Sequence, residues 1–255
     1  SVTLASLMIL GDVRNTLIED WKSHTSDHAP SHFLINLFDQ DLDPFNEFTR
    51  SEGMTAQAPY PIVRGRLTLI NHEDAEQRAK GKSRAEAAIH RDLALTYTEK
   101  LPPDNRIVDG LWEPDTPANG VSVEADLAEQ LGIVPGDRIT FFIEGRNLTV
   151  RVGSLRKVHW DQMTPNFYFI FPKGLLEEFS RTWMTSLTLG PQGHAVALQL
   201  AEKFPAASLI DIEKVTDQVK WMLHRMVDLI RPMFVLGVLG AILVLLAGIR
   251  TSRSN

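Results

Sequence analysis

The run from Pro232 to Ile249, PMFVLGVLGAILVLLAGI, carries no charge and almost no polar side chain. It is about long enough to cross a bilayer core of roughly 30 Å as one helix. Lipid offers the backbone no hydrogen-bond partners, so a segment placed there must satisfy its own, as a helix does. The mixed, charged sequence before it is long enough for one large domain or two small ones. The chain therefore reads as a water-exposed domain tied to a membrane near its C-terminal end. Pro232, Met233, Leu236, Leu239, Ile242, Leu245 and Ile249 mark the predicted membrane helix over 232–249, and 250–255 form a cytoplasmic tail. Arg250 and Arg253 suit a cytoplasmic flank. Lys214, Lys220, Arg225 and Arg231 upstream weaken the contrast, but the balance still puts the globular part outside the cytoplasm.

Val2 to Leu10, VTLASLMIL, is a second apolar stretch, too short to span alone. It reads either as the last turns of a membrane helix that starts upstream or as a signal-peptide remnant. The basic leader and the small-residue cleavage site of a signal peptide are absent, which favours the first. Gly11 to Trp21 continues it as an amphipathic helix, with Leu10, Val13, Leu17 and Trp21 on one face. A matching stripe precedes the C-terminal run. Val215, Val219, Met222, Met226 and Leu229 alternate steps of four and three, and Met233 and Leu236 carry the series on. Such a helix could run from the domain into lipid, with Pro232 able to kink it. Two helices of this kind could pair as a stalk; the stripe also fits an ordinary core-facing helix.

Two similar units flank the middle of the chain. The first predicts a strand over His32–Phe38, a helix over Leu42–Ser51 and a strand over Pro61–Ile70. The second predicts a strand over Thr185–Leu189, a helix over His194–Phe204 with Ala197, Leu200, Ala201 and Phe204 inward, and a strand over Ser208–Ile212. Such a pair suggests one α/β layer made from both ends, with the middle inserted. The middle reads mainly as β. Ser122 is placed to cap a helix over Val123–Leu131 that Gly132 ends. Arg138–Ile143 and Leu148–Val152 form a hairpin around Glu144–Asn147, with Ile139, Phe141 and Ile143 inward. Phe167–Phe171 is a strand stopped by Pro172, and the polar stretch Asn71–Glu86 is a loop or an exposed helix.

The chemistry that the residues exclude is more definite than the chemistry they offer. A formal charge of −6 argues against nucleic-acid binding. No cysteine is present, so disulfides, thiol nucleophiles and Cys-ligated zinc are excluded. Gly81-Lys82-Ser83 echoes a phosphate loop, but Glu76 stands where the first glycine is needed. His72-Glu73 opens like a zinc-protease motif, and Glu76 again replaces the second histidine. Asp39, Asp41 and Asp43 space like a calcium loop, but Pro44 and Arg50 occupy the positions of its glycine and closing glutamate. They read as a solvated turn. His159 and Asp161 are the one defensible acid–base pair, and a polar patch at the end of the hairpin explains them better. No cofactor, metal site or catalytic residue follows from the sequence.

Longer phrases carry a resemblance. The run Gly136 to Ser186, LPPDNRIVDG (Leu101 to Gly110) and APSHFLIN (Ala29 to Asn36) resemble the permease subunits of MacB/FtsX-type ABC transporters, nearest the YbbP-like branch. The resemblance implies an α+β extracytoplasmic domain between the first two membrane helices. Its α/β subdomain, built from both ends of the chain, would take 27–100 and 180–212, and an inserted β-rich subdomain 101–179. Stalk segments 1–26 and 213–231 would flank them, with coupling through Val215, Val219, Met222 and Met226. It implies a non-catalytic permease of the bacterial inner membrane, with its globular domain in the periplasm. Expected partners are a separate ATP-binding subunit, a second permease copy in a homodimer, membrane lipid and a periplasmic lysophospholipase or thioesterase. Mechanotransmission and hydrophobic or lipid-like substrates are the implied function. A membrane-anchored periplasmic hydrolase or a passive binding module are the alternatives.

Overall fold

The computed structural model describes residues 30–112, 120–160, 164–189 and 193–212, together with Lys214, Gln218, Trp221 and Arg225. The expectations for 1–26, for the stripe Val215, Val219, Met222 and Met226, and for the run marked by Pro232, Met233, Leu236, Leu239, Ile242, Leu245 and Ile249 lie outside these residues, as does Asp161. Among the described residues no helix is long and apolar enough to cross a membrane. The chain divides into two compact units, 1–210 and 211–255. Within the second, Lys214, Gln218, Trp221 and Arg225 are helical, and the Arg225 guanidinium lies 4.8 Å from the Trp221 ring centre.

The first unit is α+β with a mixed sheet. Strand β1 (His32–Leu37) is followed by helix α1 (Leu42–Ser51), the short strand β2 (Thr55–Ala56) and the long strand β3 (Tyr60–Ile70). Near the other end, β11 (Thr182–Thr188) leads through α5 (Gly193–Lys203) to β12 (Ser208–Asp211). Their order in the sheet is β12-β1-β11-β3. Both β1 and β3 run antiparallel to β11, so β1 and β3 are parallel with β11 between them. That is a split β-α-β unit, and with β12 beside β1 the strand order is that of a ferredoxin-like layer. Phe45 and Phe48 of α1 and Val196 and Leu200 of α5 are buried with Leu34, Leu37, Leu187 and Phe204. Phe204 stands edge-on to Phe45 and Phe48, with ring centres 6.1 and 6.4 Å away. The inward face of α5 is thus centred on Val196, and Ala201 is exposed. A helix turns 100° per residue, and the bulkier Val196 wins the core-facing position over alanine.

Strand β3 does not stop at this layer. Beyond its pairing with β11 it pairs with β5 (Leu93–Tyr97), then with β8 (Arg138–Ile143) and β4 (Glu73–Asp74). Strand β5 pairs with β10 (Phe169–Phe171), β10 with β7 (Val121–Glu124), β7 with β9 (Arg146–Val158) and β9 with β8. The path β3-β5-β10-β7-β9-β8 returns to β3, so six strands close into a barrel and have no free edges among themselves. Strand β6 (Asn105–Gly110) lies outside the ring, paired to β9. Val63, Leu67, Leu95, Phe141, Ile143, Val152, Phe169 and Phe171 belong to its buried core. The Phe141 ring centre is 5.0 Å from that of Phe169 and 5.4 Å from that of Phe171. Gly65 makes room for Leu95 and Ile143 of this core: a Cβ there would lie 2.7 Å from Leu95 Cδ1 and 2.8 Å from Ile143 Cγ1. Helices α2 (Ala75–Ala79), α3 (Ser83–Ile89) and α4 (Ala125–Leu131) add alanines and leucines to the same core.

Three local expectations change. Ser122 lies in β7, and Glu124 caps α4 instead, its carboxylate accepting from the Leu127 amide at 2.8 Å. A carboxylate suits a helix N-terminus at least as well as a hydroxyl. The hairpin turn is two residues, Glu144 and Gly145, at φ 48° and 80°. Positive φ at both fits the right-handed twist of the flanking strands, so Arg146 and Asn147 join β9. The polar stretch 71–86 holds β4, α2 and the first turn of α3 rather than one loop or helix.

Candidate functional site

Register brings two distant charges together at the joint between layer and barrel. Leu37 pairs with Trp183, so the turn that follows β1 meets the residues that open β11. Asp39 sits in that turn and Arg181 just before the strand. The guanidinium grips the carboxylate as a fork, Nε to Oδ1 at 3.1 Å and Nη2 to Oδ2 at 3.0 Å. Trp183 Nε1 donates to Oδ1 at 2.5 Å. Arg181 Nη1 reaches the Tyr97 hydroxyl at 3.1 Å and the Glu177 carbonyl at 3.2 Å. Tyr97 is the last residue of β5, a barrel strand. One arginine therefore ties the layer to the barrel. The hydrogen bonds from Arg181 and then Trp183 hold the Asp39 carboxyl below the usual carboxylate range. Burial, opposed by Arg181, pushes the Tyr97 phenol up. Asp39 is thus an exposed residue of the expected solvated turn that also bridges to Arg181. Asp41 closes that turn locally, accepting from the Phe38 amide at 3.0 Å.

A second charged group is fully enclosed. Val150, Val152, Ser154, Arg156 and Val158 are the buried alternate positions of β9, and Arg156 is 0% exposed. Its Nε donates to Asn105 Oδ1 at 2.7 Å and its Nη1 to the Ser122 carbonyl at 2.7 Å and the Tyr168 carbonyl at 3.3 Å. Its Nη2 donates to the Phe167 carbonyl. These acceptors come from β6, β7 and the segment entering β10, so one side chain stitches three elements to β9. Burial pulls the guanidinium down to about 9, with Glu124 acting the other way. It remains charged at neutral pH. Glu124 is itself buried, and Arg84 Nη2 lies 3.3 Å from its Oε1. The signal that could have revealed Arg156 is the period-two pattern of β9, which puts it in line with three valines.

The sequence candidates fall elsewhere. His159 follows β9 and is exposed, and its proposed partner Asp161 lies outside the described residues. The Gly81 amide donates to Glu86 Oε1 at 2.8 Å, so the phosphate-loop echo spends its donor within its own helix start. Among the described residues no group of three histidine, aspartate or glutamate side chains is placed to hold a metal ion.

No protein-family model matches the chain. Across 250 residues, 98% of its length, it is 34% identical to the uncharacterized ABC transporter permease YbbP of Escherichia coli (strain K12). The chain is a relative of YbbP. It spans 30% of that protein's length. The resemblance read from the phrases around Gly136–Ser186 therefore extends over nearly the whole chain. A crystal structure of a domain from Porphyromonas gingivalis, described as part of a permease protein, aligns with 72% of this chain and 87% of its own. That likeness has a TM-score of 0.34 and 8% identity, and it carries no argument about the fold.

Proposed function

We propose that this chain is the extracytoplasmic part of an ABC transporter permease and that it relays displacement instead of catalysing a reaction. The observation that carries the reading is the 34% identity to YbbP across 98% of the chain. The globular residues stand in the periplasm of a bacterial inner membrane. A separate ATP-binding subunit supplies the work from the cytoplasmic side. A second permease copy pairs with the first, and lipid surrounds the predicted helix from Pro232 to Ile249. Hydrophobic or lipid-like molecules are the cargo, handed on with a periplasmic lysophospholipase or thioesterase.

Two features of the described fold suit such a role. Strand β3 belongs to both layer and barrel, and Arg181 fastens the two at a second point. A push on the layer is then transmitted to the barrel without an intervening flexible linker. Delivery of that push falls to the stripe Val215, Val219, Met222 and Met226, packed as a stalk. The test is Val219→Asp with Met222→Asp in the complete transporter, reconstituted with its ATP-binding subunit. Buried aspartates break an apolar seam, so the expected result is continued ATP hydrolysis with cargo handling reduced about tenfold, the scale of ordinary coupling energies. Cargo handling still matched to hydrolysis would refute the stalk.

A further inference from the structure

The outer face of the barrel carries a cleft that the coupling role leaves unused. Arg64 and Ala94 stand opposite each other in the β3–β5 pair, on the face away from Val63 and Leu95. Ala94 is small, and with Leu93 it floors a cavity of about 220 Å³. Phe167, Tyr168 and Trp160 wall it, and Arg64 and Arg91 stand at its rim. Tyr168 and Trp160 hold each other at 5.1 Å between ring centres, and Arg84 lies 5.6 and 5.5 Å from the two rings. Trp160 Nε1 points to Glu124 at 3.5 Å. These supports fix the wall before any ligand arrives.

The charge at the rim is the decisive feature. Among the described residues neither Arg64 nor Arg91 has a carboxylate partner, although both are exposed. Two acids among the described residues, one beside Arg91 in the chain and one beside Trp160 in space, are already engaged. Asp92 pairs with Arg66 at 3.2 Å, and Glu124 with Arg84. Two guanidiniums without a carboxylate partner among the described residues line one aromatic-walled hollow, a donor set suited to an oxyanion. Their combined charge matches a phosphate monoester, about −1.5 to −2 at neutral pH, better than a carboxylate. The volume is below the range of about 300–1,000 Å³ that encloses a drug-sized ligand, so the cleft suits a headgroup and the first atoms of its stem.

We propose that this cleft binds a phosphate monoester on a flat or apolar stem, with Arg64 and Arg91 gripping the phosphate and Trp160 and Tyr168 packing the stem. Binding there does not depend on ATP hydrolysis. Two sources share this chemistry: a soluble phosphate ester and a lipid headgroup such as phosphatidic acid. The experiment uses the full chain in phosphatidylcholine nanodiscs, titrated with phenyl phosphate by calorimetry. Binding in the millimolar range or tighter is expected, at least about fivefold stronger than for inorganic phosphate, because aromatic packing adds about a kcal/mol. The pair Arg64→Gln, Arg91→Gln should weaken it by about tenfold or more, and Arg66→Gln should leave it unchanged. Repeating the titration with phosphatidic acid in the disc separates the sources. Competition assigns the cleft to the lipid headgroup, and its absence to a soluble ester. Unchanged affinity in the double variant, or equal binding of inorganic and phenyl phosphate, overturns the proposal.

Discussion

Replacing Arg156 by methionine isolates what the enclosed guanidinium does. The two side chains are similar in length, so the change removes charge and donors while leaving most of the volume filled. Four acceptors lose a donor, Asn105 Oδ1 and the carbonyls of Ser122, Phe167 and Tyr168, although the Tyr168 carbonyl keeps the Glu124 amide at 2.9 Å. An unsatisfied buried acceptor costs about 1–3 kcal/mol, and such costs are not additive within one network. Against them stands the relief of a buried charge, whose desolvation is large enough to bring the group's pKa down to about 9. The net loss is about 3–5 kcal/mol, the scale of breaking a buried charged network. Urea unfolding with an m-value of about 3 kcal/mol/M then shows a midpoint lowered by about 1–1.7 M. Arg151→Met, on the exposed face of the same strand, is the control and should move it by less than about 0.2 M. Equal midpoints for Arg156→Met and the wild type, at equal m-values, would refute the stitching role.

The remaining predictions concern the joint and the barrel. Asp39 has its folded pKa depressed by Arg181 and Trp183, so its contribution to stability is present above the unfolded carboxylate pKa. It is lost as pH falls through the folded value, below about 4. Because the Asp39 side chain is 56% exposed, the loss is small, about 0.5 kcal/mol, and Asp39→Asn should flatten that part of the acid unfolding curve. Gly65→Val places branched carbon against Leu95 and Ile143, where even a Cβ is closer than 3 Å. Overpacking of this kind costs about 1–3 kcal/mol, read as a drop in melting temperature, and Ala at the same position should cost less.

Periodic segments were legible in the sequence, and pairings between them were not. The strand over 61–70 and the helix over 42–51 follow from runs of apolar and β-branched residues at the right spacing, and both occur within a residue of their expected ends. The hairpin core Ile139, Phe141 and Ile143 was equally plain, because these three share the face opposite Thr140 and Phe142. Barrel closure was hidden. It depends on β5 lying beside β10, two strands with no shared local signal and a long stretch of chain between them. The Asp39–Arg181 fork was hidden for the same reason, since nothing in a polar turn names a partner 142 positions away. Ser122 was misassigned because a hydroxyl before an apolar run is a common cap, while Glu124, two residues later, performs the task from the end of a strand. His159 was paired with Asp161 because alternate residues of a strand share a side, but His159 lies just past the end of β9 and Asp161 outside the described residues.

The pairing of β1 has a temporal side. Phe33 must find Ser186, and β12 on its other flank arrives later still. At about 5–20 residues per second of synthesis, β1 waits roughly 8–30 s before either neighbour leaves the ribosome. The barrel strands in between can assemble meanwhile. The N-terminal strand therefore spends its youth as an unzipped apolar ribbon, and the layer shuts only when the last quarter of the domain emerges. Newly made chains should be most vulnerable to proteases and to mispairing at this N-terminal ribbon, and a holding chaperone would protect it best during that interval.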